Sequence, residues 1–170
     1  MQAVGSGGCA LLGVRFGGDV LGEMAALERR ARTALVTAGT RAGTRLVRAA
    51  DFLDFLGRHA DAAIELTRVI NARLHWADQR RLDNAQHPAP DRVRRVLLEV
   101  VRGCGIGDED GNHRLGTPLS HDDLASLAGV RRRTVEKVLR DLEQQGVLLR
   151  RYRQVVITDL PQLQRITENP

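Results

Sequence analysis

Cysteine is nearly absent: Cys9 and Cys104 are the only two in 170 residues. Two are too few for a disulfide framework and lie too far apart for a metal motif. Aromatic residues make up 3%, which argues against a stacking platform for single-stranded nucleic acid. No apolar stretch approaches the ~20 residues that a membrane-spanning helix needs. The opening Met1–Gly8 is small and apolar but has no basic n-region, against a secretory signal. These absences point to a soluble protein of a reducing compartment, expected in the cytoplasm without a membrane partner. Lysine is scarce as well, with Lys137 alone among 26 basic residues.

What is present suits a folded chain. Hydrophobic residues make up 42% and charged residues 28%, enough for one ordinary domain or two small ones with real cores. The net charge is +5, and no long segment is strongly basic overall. The bases cluster instead, at Arg131-Arg132-Arg133 and at Arg150, Arg151 and Arg153.

Patterning divides the chain into three parts. Residues 1–57 read as β structure with tight turns: strand candidates at Ala10–Val14, Ala34–Ala38 and Arg45–Val47, a turn at Gly17-Gly18-Asp19, and a short helix from Asp51 to Gly57. That helix should bury Phe52, Leu53, Phe55 and Leu56. Residues 58–87 hold one long helix, because Asp61 to Asn84 contains no Gly or Pro. Leu66, Ile70, Arg73 and Ala77 form a narrow seam along it, expected to face a second copy of the chain. His87-Pro88-Ala89-Pro90 breaks the helix. Residues 88–170 follow with an amphipathic segment, Asp91–Arg102, that turns Val93, Val96, Leu97, Val100 and Val101 to one side. A polar, Gly-rich loop is expected at Gly103–Gly116, then helices His121–Ala128 and Arg131–Gln145, strands Val147–Leu149 and Gln154–Thr158, and an amphipathic tail, Leu160–Ile166. The fold class expected is α+β.

The strongest motif runs from Ser120 to Leu142. Ser120 with Asp123 three residues later is an N-capping pattern. Leu124, Ala125, Ala128, Gly129, Val135 and Val138 then supply what two closely crossing helices need: small residues at the approach, glycine at the turn, valines to close the core. The second helix starts with Arg131, Arg132, Arg133 and Thr134, with Lys137 one turn on. Positive charge there opposes the helix macrodipole, so stability alone would not place it, whereas such a recognition helix presents its first turns to base edges. Arg150, Arg151 and Arg153 lie at the tip of the following hairpin, where two readings are open: contact with phosphates, or charges that keep an edge strand soluble. A second, weaker motif is Gly22-Glu23 followed by Arg32-Thr33. A short helix N-terminus with an arginine fork suits a phosphate and Glu23 a ribose hydroxyl, but on these residues alone an ordinary turn–helix joint is the stronger reading.

In their order, the Gly-Glu…Arg-Thr-Ala segment, the long helix and the winged helix-turn-helix resemble the Crp/Fnr family of bacterial transcription regulators, over about residues 10–167. The resemblance implies a partial cyclic-nucleotide-binding β-roll over 1–57, a dimerisation helix over 58–87 and a winged helix-turn-helix over 88–170. It implies that Gly22, Glu23, Arg32 and Thr33 hold a cyclic nucleotide (cAMP or cGMP), and that Arg132, Arg133 and Lys137 read bases in a palindromic operator. Implied partners are double-stranded DNA, a second copy of the chain, and RNA polymerase. The family's usual Glu at the second base-reading place is Arg133 here. Positions that touch the purine in cyclic-AMP-responsive members, often Thr and Ser, fall near Ala77 and Asp78. Family members also carry further N-terminal strands, so this chain begins within the barrel, whose edges would be uncovered.

Other chemistries fit less well. An iron–sulfur cluster needs about four thiolates, and His59, His75, His87, His113 and His121 show no ligand spacing, so neither metal nor haem is expected. No Ser/His/Asp or Cys/His constellation, P-loop or HExxH pattern is present, and the chain is not expected to be an enzyme. Three readings remain: a ligand-responsive regulator, a constitutive DNA-binding protein with a vestigial sensor half, and a dimeric module that does not bind DNA.

Overall fold

The computed structural model describes residues 2–5, 8–108, 111–115, 118–151 and 154–168. Strands β1 (Gln2–Gly5) and β2 (Gly8–Leu11) form an antiparallel pair. They are followed by helices α1 (Glu23–Glu28), α2 (Ala49–Arg58) and α3 (Ala60–Gln86). The second half comprises α4 (Ala89–Cys104), β3 (Gly105–Gly107), β4 (His113–Leu115), α5 (His121–Ala128), α6 (Arg132–Gln144), β5 (Leu148–Arg151), β6 (Gln154–Ile157) and α7 (Leu160–Glu168). Its four strands make one antiparallel sheet in the order β3-β4-β6-β5. The fold is α+β, and no helix among the described residues is long and apolar enough to cross a membrane.

The core lies almost wholly in the second half. Val93, Val96, Leu97, Val100 and Val101 on α4 are buried against Leu124 and Leu127 of α5, Val135, Leu139 and Leu142 of α6, Leu148 and Ile157 of the sheet, and Leu163 of α7. The α4 spacing puts those five on one helix face, so burying one buries all. Leu11, Val14 and Trp76 reach this core from the first half, and the Phe16 ring packs against Gly103 at the end of α4.

The first half departs from the β-rich expectation. The Gly17-Gly18 turn is present, with Asp19 N–H donating to the Phe16 carbonyl at 3.1 Å. Residues 34–38 and 45–47, however, form no ladder; Leu35 makes a single isolated bridge. A strand is stable only with a partner and an apolar surface to cover, and here Leu46 is 90% exposed. Similarly, α2 forms but buries none of its residues fully: Phe52, Leu53 and Leu56 are half-buried and Phe55 is 47% exposed. The expected loop at 103–116 is corrected in the other direction. Residues 105–107 and 113–115 pair as β3 and β4, with Asp108 accepting the Asn112 N–H at 2.9 Å between them, and β4 extends the sheet at β6.

Candidate nucleic-acid interface

Helix α5 starts with a complete capping box. Ser120 Oγ accepts the Asp123 backbone N–H at 3.1 Å, and Asp123 Oδ2 accepts the Ser120 N–H at 2.9 Å, so two orphan donors of the first turn are satisfied. The helix ends at Gly129, whose φ of 60° lets the Val130 N–H return to the Ala125 carbonyl at 3.0 Å. Ala125 and Ala128 are buried at the crossing. Arg131 is the extended residue before α6 rather than its first turn.

Burying Val135, Val138, Leu139 and Leu142 leaves the opposite face of α6 outward. Arg133 and Lys137 are exposed there, and so is Arg140. Spacings of four and three residues align these cations in one row. Arg140 was missed in the sequence, although its place seven residues after Arg133 is a sufficient signal. Thr134 is half-buried in the groove between α6 and the start of α4. Arg132 is set apart from the row. Its Nε donates to Glu136 Oε1 at 2.7 Å and its Nη1 to Asp122 Oδ2 at 3.2 Å. The hydrogen bond from Arg132 holds the Glu136 carboxyl below its usual range, and Glu136 in turn raises Arg132. His121 Nδ1 lies 3.7 Å from the same Glu136 oxygen.

The β5–β6 hairpin stands beside this face. Glu143, on the last turn of α6, accepts from the Arg150 backbone N–H at 3.1 Å and from Arg150 Nε at 2.7 Å. These bonds lower the Glu143 carboxyl and commit Arg150 to holding the hairpin. Arg151 is exposed, and Arg153 lies outside the described residues. Ser120, His121, Asp122, Arg132, Arg150 and Arg151 line a shallow groove between the helices and the hairpin.

A second cluster lies 100 residues earlier in sequence. Gly22, with φ 85°, precedes α1, and a Cβ there would lie 2.8 Å from the Arg32 guanidinium carbon; only glycine lets the two meet. Glu23 is 6% exposed and bound by Arg73 Nη1 at 2.6 Å, while Arg73 Nη2 reaches Asp19 at 3.1 Å and the Val20 carbonyl at 2.9 Å. Thr33 is exposed. Gly22, Glu23 and Arg32 are thus brought together.

The seam read on the long helix is partly covered within the chain itself. Leu66 is buried, and Ile70, Arg73 and Ala77 are half-buried on the face turned toward this chain's own residues. Arg73 belongs there as the partner of Glu23, which accounts for a charge within an apolar seam. Three apolar side chains of α3 stay in solvent: Ile64 and Leu82 on the side away from the seam, 52% and 48% exposed, and Leu74 at the seam's edge, 55% exposed. At its end α3 meets the helix-turn-helix: Arg80 lies over Trp76, pairs with Glu99 at 2.6 Å and donates to the Leu127 carbonyl at 3.3 Å. Among the described residues no three His, Cys, Asp or Glu side chains are grouped to hold a metal ion.

Residues 91–166 match the Crp-like helix-turn-helix domain family. Over 155 residues the chain is 26% identical to a CRP-like cAMP-activated global transcriptional regulator of Mycobacterium tuberculosis, covering 91% of this chain and 69% of that protein. It is 31% identical over 139 residues to the cyclic AMP receptor protein of Thermus thermophilus, covering 82% and 59%. A solved Crp/Fnr-family transcriptional regulator from Thermus thermophilus superposes with a TM-score of 0.56 at 26% identity, over 65% of this chain and 56% of that one. FixK2 of Bradyrhizobium japonicum shares the fold, with a TM-score of 0.62 at 24% identity over 70% and 58%. The chain spans just over half the length of these solved relatives. The capped α5, glycine turn, outward basic helix and adjoining hairpin all lie within residues 91–166, the part of the chain that matches the Crp-like helix-turn-helix domain, and the chain is similar beyond it to regulators of the Crp type.

Proposed function

We propose that the chain is a sequence-specific transcription regulator that inserts α6 into the major groove of a palindromic operator as a homodimer. The observation that carries this reading is the row Arg133, Lys137 and Arg140, exposed along a helix whose opposite face is fixed in the core. Arg133 and Lys137 read bases with Arg132, while Arg131 and Arg140 flank them; Arg150 and Arg151 serve toward the backbone, the role the sequence also gives Arg153. Ser120 serves through the cap of α5, and RNA polymerase is the further partner such a regulator engages. Selection from a random duplex pool tests this. A palindrome with half-sites about 34 Å apart, relaxed at one position per half-site by Arg133→Ala, supports it; failure to enrich any duplex refutes it.

Dimerisation in this reading uses α3 on the side of the Leu66, Ile70 and Ala77 seam, where Leu74, 55% exposed and one turn on from Ile70, has apolar surface left to bury against a partner.

Control by a cyclic nucleotide is the finer part of the proposal. Names of the curated relatives support it, one being cAMP-activated and one a cyclic AMP receptor. So does the meeting of Gly22 with Arg32, an exposed guanidinium fork beside half-buried backbone that suits a phosphate. Glu23, although paired with Arg73, keeps lone pairs free for a ribose hydroxyl. The uncovered Leu46 and Val47 favour the second reading, a constitutive DNA-binding protein with a vestigial sensor half. Calorimetry decides: a heat with cAMP or cGMP that Arg32→Ala weakens at least tenfold supports control, and no heat at millimolar nucleotide supports the constitutive reading.

A further inference from the structure

Arg132 differs from the other cations of the α6 face. Among the described residues no carboxylate pairs with Arg133, Lys137 or Arg140, whereas Arg132 stands between Glu136 at 2.7 Å and Asp122 at 3.2 Å. The two acids belong to different helices, so the guanidinium is held from two directions. A guanidinium carries five N–H donors. Glu136 takes the one on Nε and Asp122 one of those on Nη1, which leaves Nη2 and the rest of Nη1 as a two-pronged end. The side chain remains 59% exposed, so that end is open to an incoming acceptor.

The chemistry of the acceptor follows from the company Arg132 keeps. Two carboxylates beside it cancel its charge and repel a phosphate. The O6/N7 edge of guanine is an uncharged pair of acceptors that a guanidinium fork engages in bidentate fashion, and it meets no such repulsion. The Arg132–Glu136 pair is mutually reinforced, each holding the other in its charged form, and His121, also near Glu136, adds no anion to the cluster.

Resting on the DNA-binding reading above, we infer that Asp122 and Glu136 are positioning residues for sequence discrimination: they aim the Nη1/Nη2 end of Arg132 at a guanine edge and keep it from the phosphate backbone. Removing either acid frees Arg132 to bind phosphates, which strengthens binding to any duplex and weakens the preference for the right one. The inference therefore separates affinity from specificity.

The experiment compares the selected duplex with a scrambled one by fluorescence anisotropy across a salt series. Glu136→Gln is expected to bind the scrambled duplex more tightly, with a steeper salt dependence, while the ratio of selected to scrambled affinity falls about tenfold. Asp122→Asn should act in the same direction, and Asp54→Asn, the same charge change on α2, should leave the ratio alone. In an Arg132→Ala background Glu136→Gln should no longer alter the ratio, since its route is gone. A full ratio in Glu136→Gln overturns the inference, as does an equal loss with Arg132 absent, which would mean that Glu136 contacts DNA itself. If the wild-type protein prefers no duplex, the DNA-binding reading fails first and this inference with it.

Discussion

At Gly129 the backbone is left-handed, and a Cβ would stand 2.9 Å from Asn84 Oδ1. Gly129→Ala therefore meets both the cost of that conformation, about 1–2 kcal/mol, and the displacement of Asn84. Urea denaturation should show a loss of at least this size, with Asn84→Ala relieving part of it. Ser120→Ala removes one half of the capping box and should cost about 1 kcal/mol without altering the base preference of α6. Both residues were legible in the sequence because a cap and a turn are local: the donor, the acceptor and the φ requirement lie within a few positions. The pairing of Arg132 with Glu136 is local too, four residues apart on one helix. Its second partner, Asp122, comes from the other helix and could be found only once the crossing was known. Glu23 and Arg73 are further apart still, and the long-helix periodicity that placed Arg73 in an apolar seam gave no sign of the carboxylate awaiting it.

The β5–β6 hairpin is tied to α6 through Glu143 and Arg150. Because these bonds lower the Glu143 carboxyl in the folded protein, they stabilise the hairpin above the ordinary carboxylate range, and the contribution is lost as pH falls through the lowered value. Hydrogen exchange should show the amides of 148–151 and 154–157 losing protection on acidification before those of α4, with Glu143→Gln removing this pH dependence. The effect should shrink in high salt, as for any solvent-exposed pair. A stronger tie holds α1. Arg73→Ala leaves Glu23 buried without its partner, which is costly for a carboxylate, so limited proteolysis should open the chain between residues 16 and 28 while residues 89–168 stay resistant. Helices were read from the sequence nearly to their ends because their apolar spacing is strong. The β3–β4 hairpin was not, since the three-residue strands Gly-Ile-Gly and His-Arg-Leu are too short to show alternation, and their stability comes from the pairing of β4 with β6 and the burial of Leu115. The strands expected at 34–38 and 45–47 had suitable composition and lacked a neighbour.

For the molecule as a whole, the core cluster spans residues 93–163, so residues 88–170 should fold alone. Expressed by themselves they should unfold cooperatively, a little less stably than the full chain because Leu11, Val14 and Trp76 no longer cover one side. In the dimer reading Leu74→Glu should shift sedimentation toward monomer, and Ile70→Glu, one turn away and half-buried, should lower protomer stability as well; an unchanged dimer in both variants would remove this side of α3 as the interface. Between α3 and α4 stand only His87 and Pro88, and across this joint Asp83 faces Arg95 at 3.8 Å and His87 at 3.9 Å. Two residues span at most ~7 Å, so nothing there can stretch. In the proposed dimer the joint would act as the locked screw of a pair of calipers: the gap between the two reading helices would be set where the jaws are fastened, and DNA of another spacing would itself have to bend or twist to be gripped. Inserting two glycines after His87 would loosen that screw, and the protein should then accept half-sites a base pair nearer or farther at a general loss of affinity.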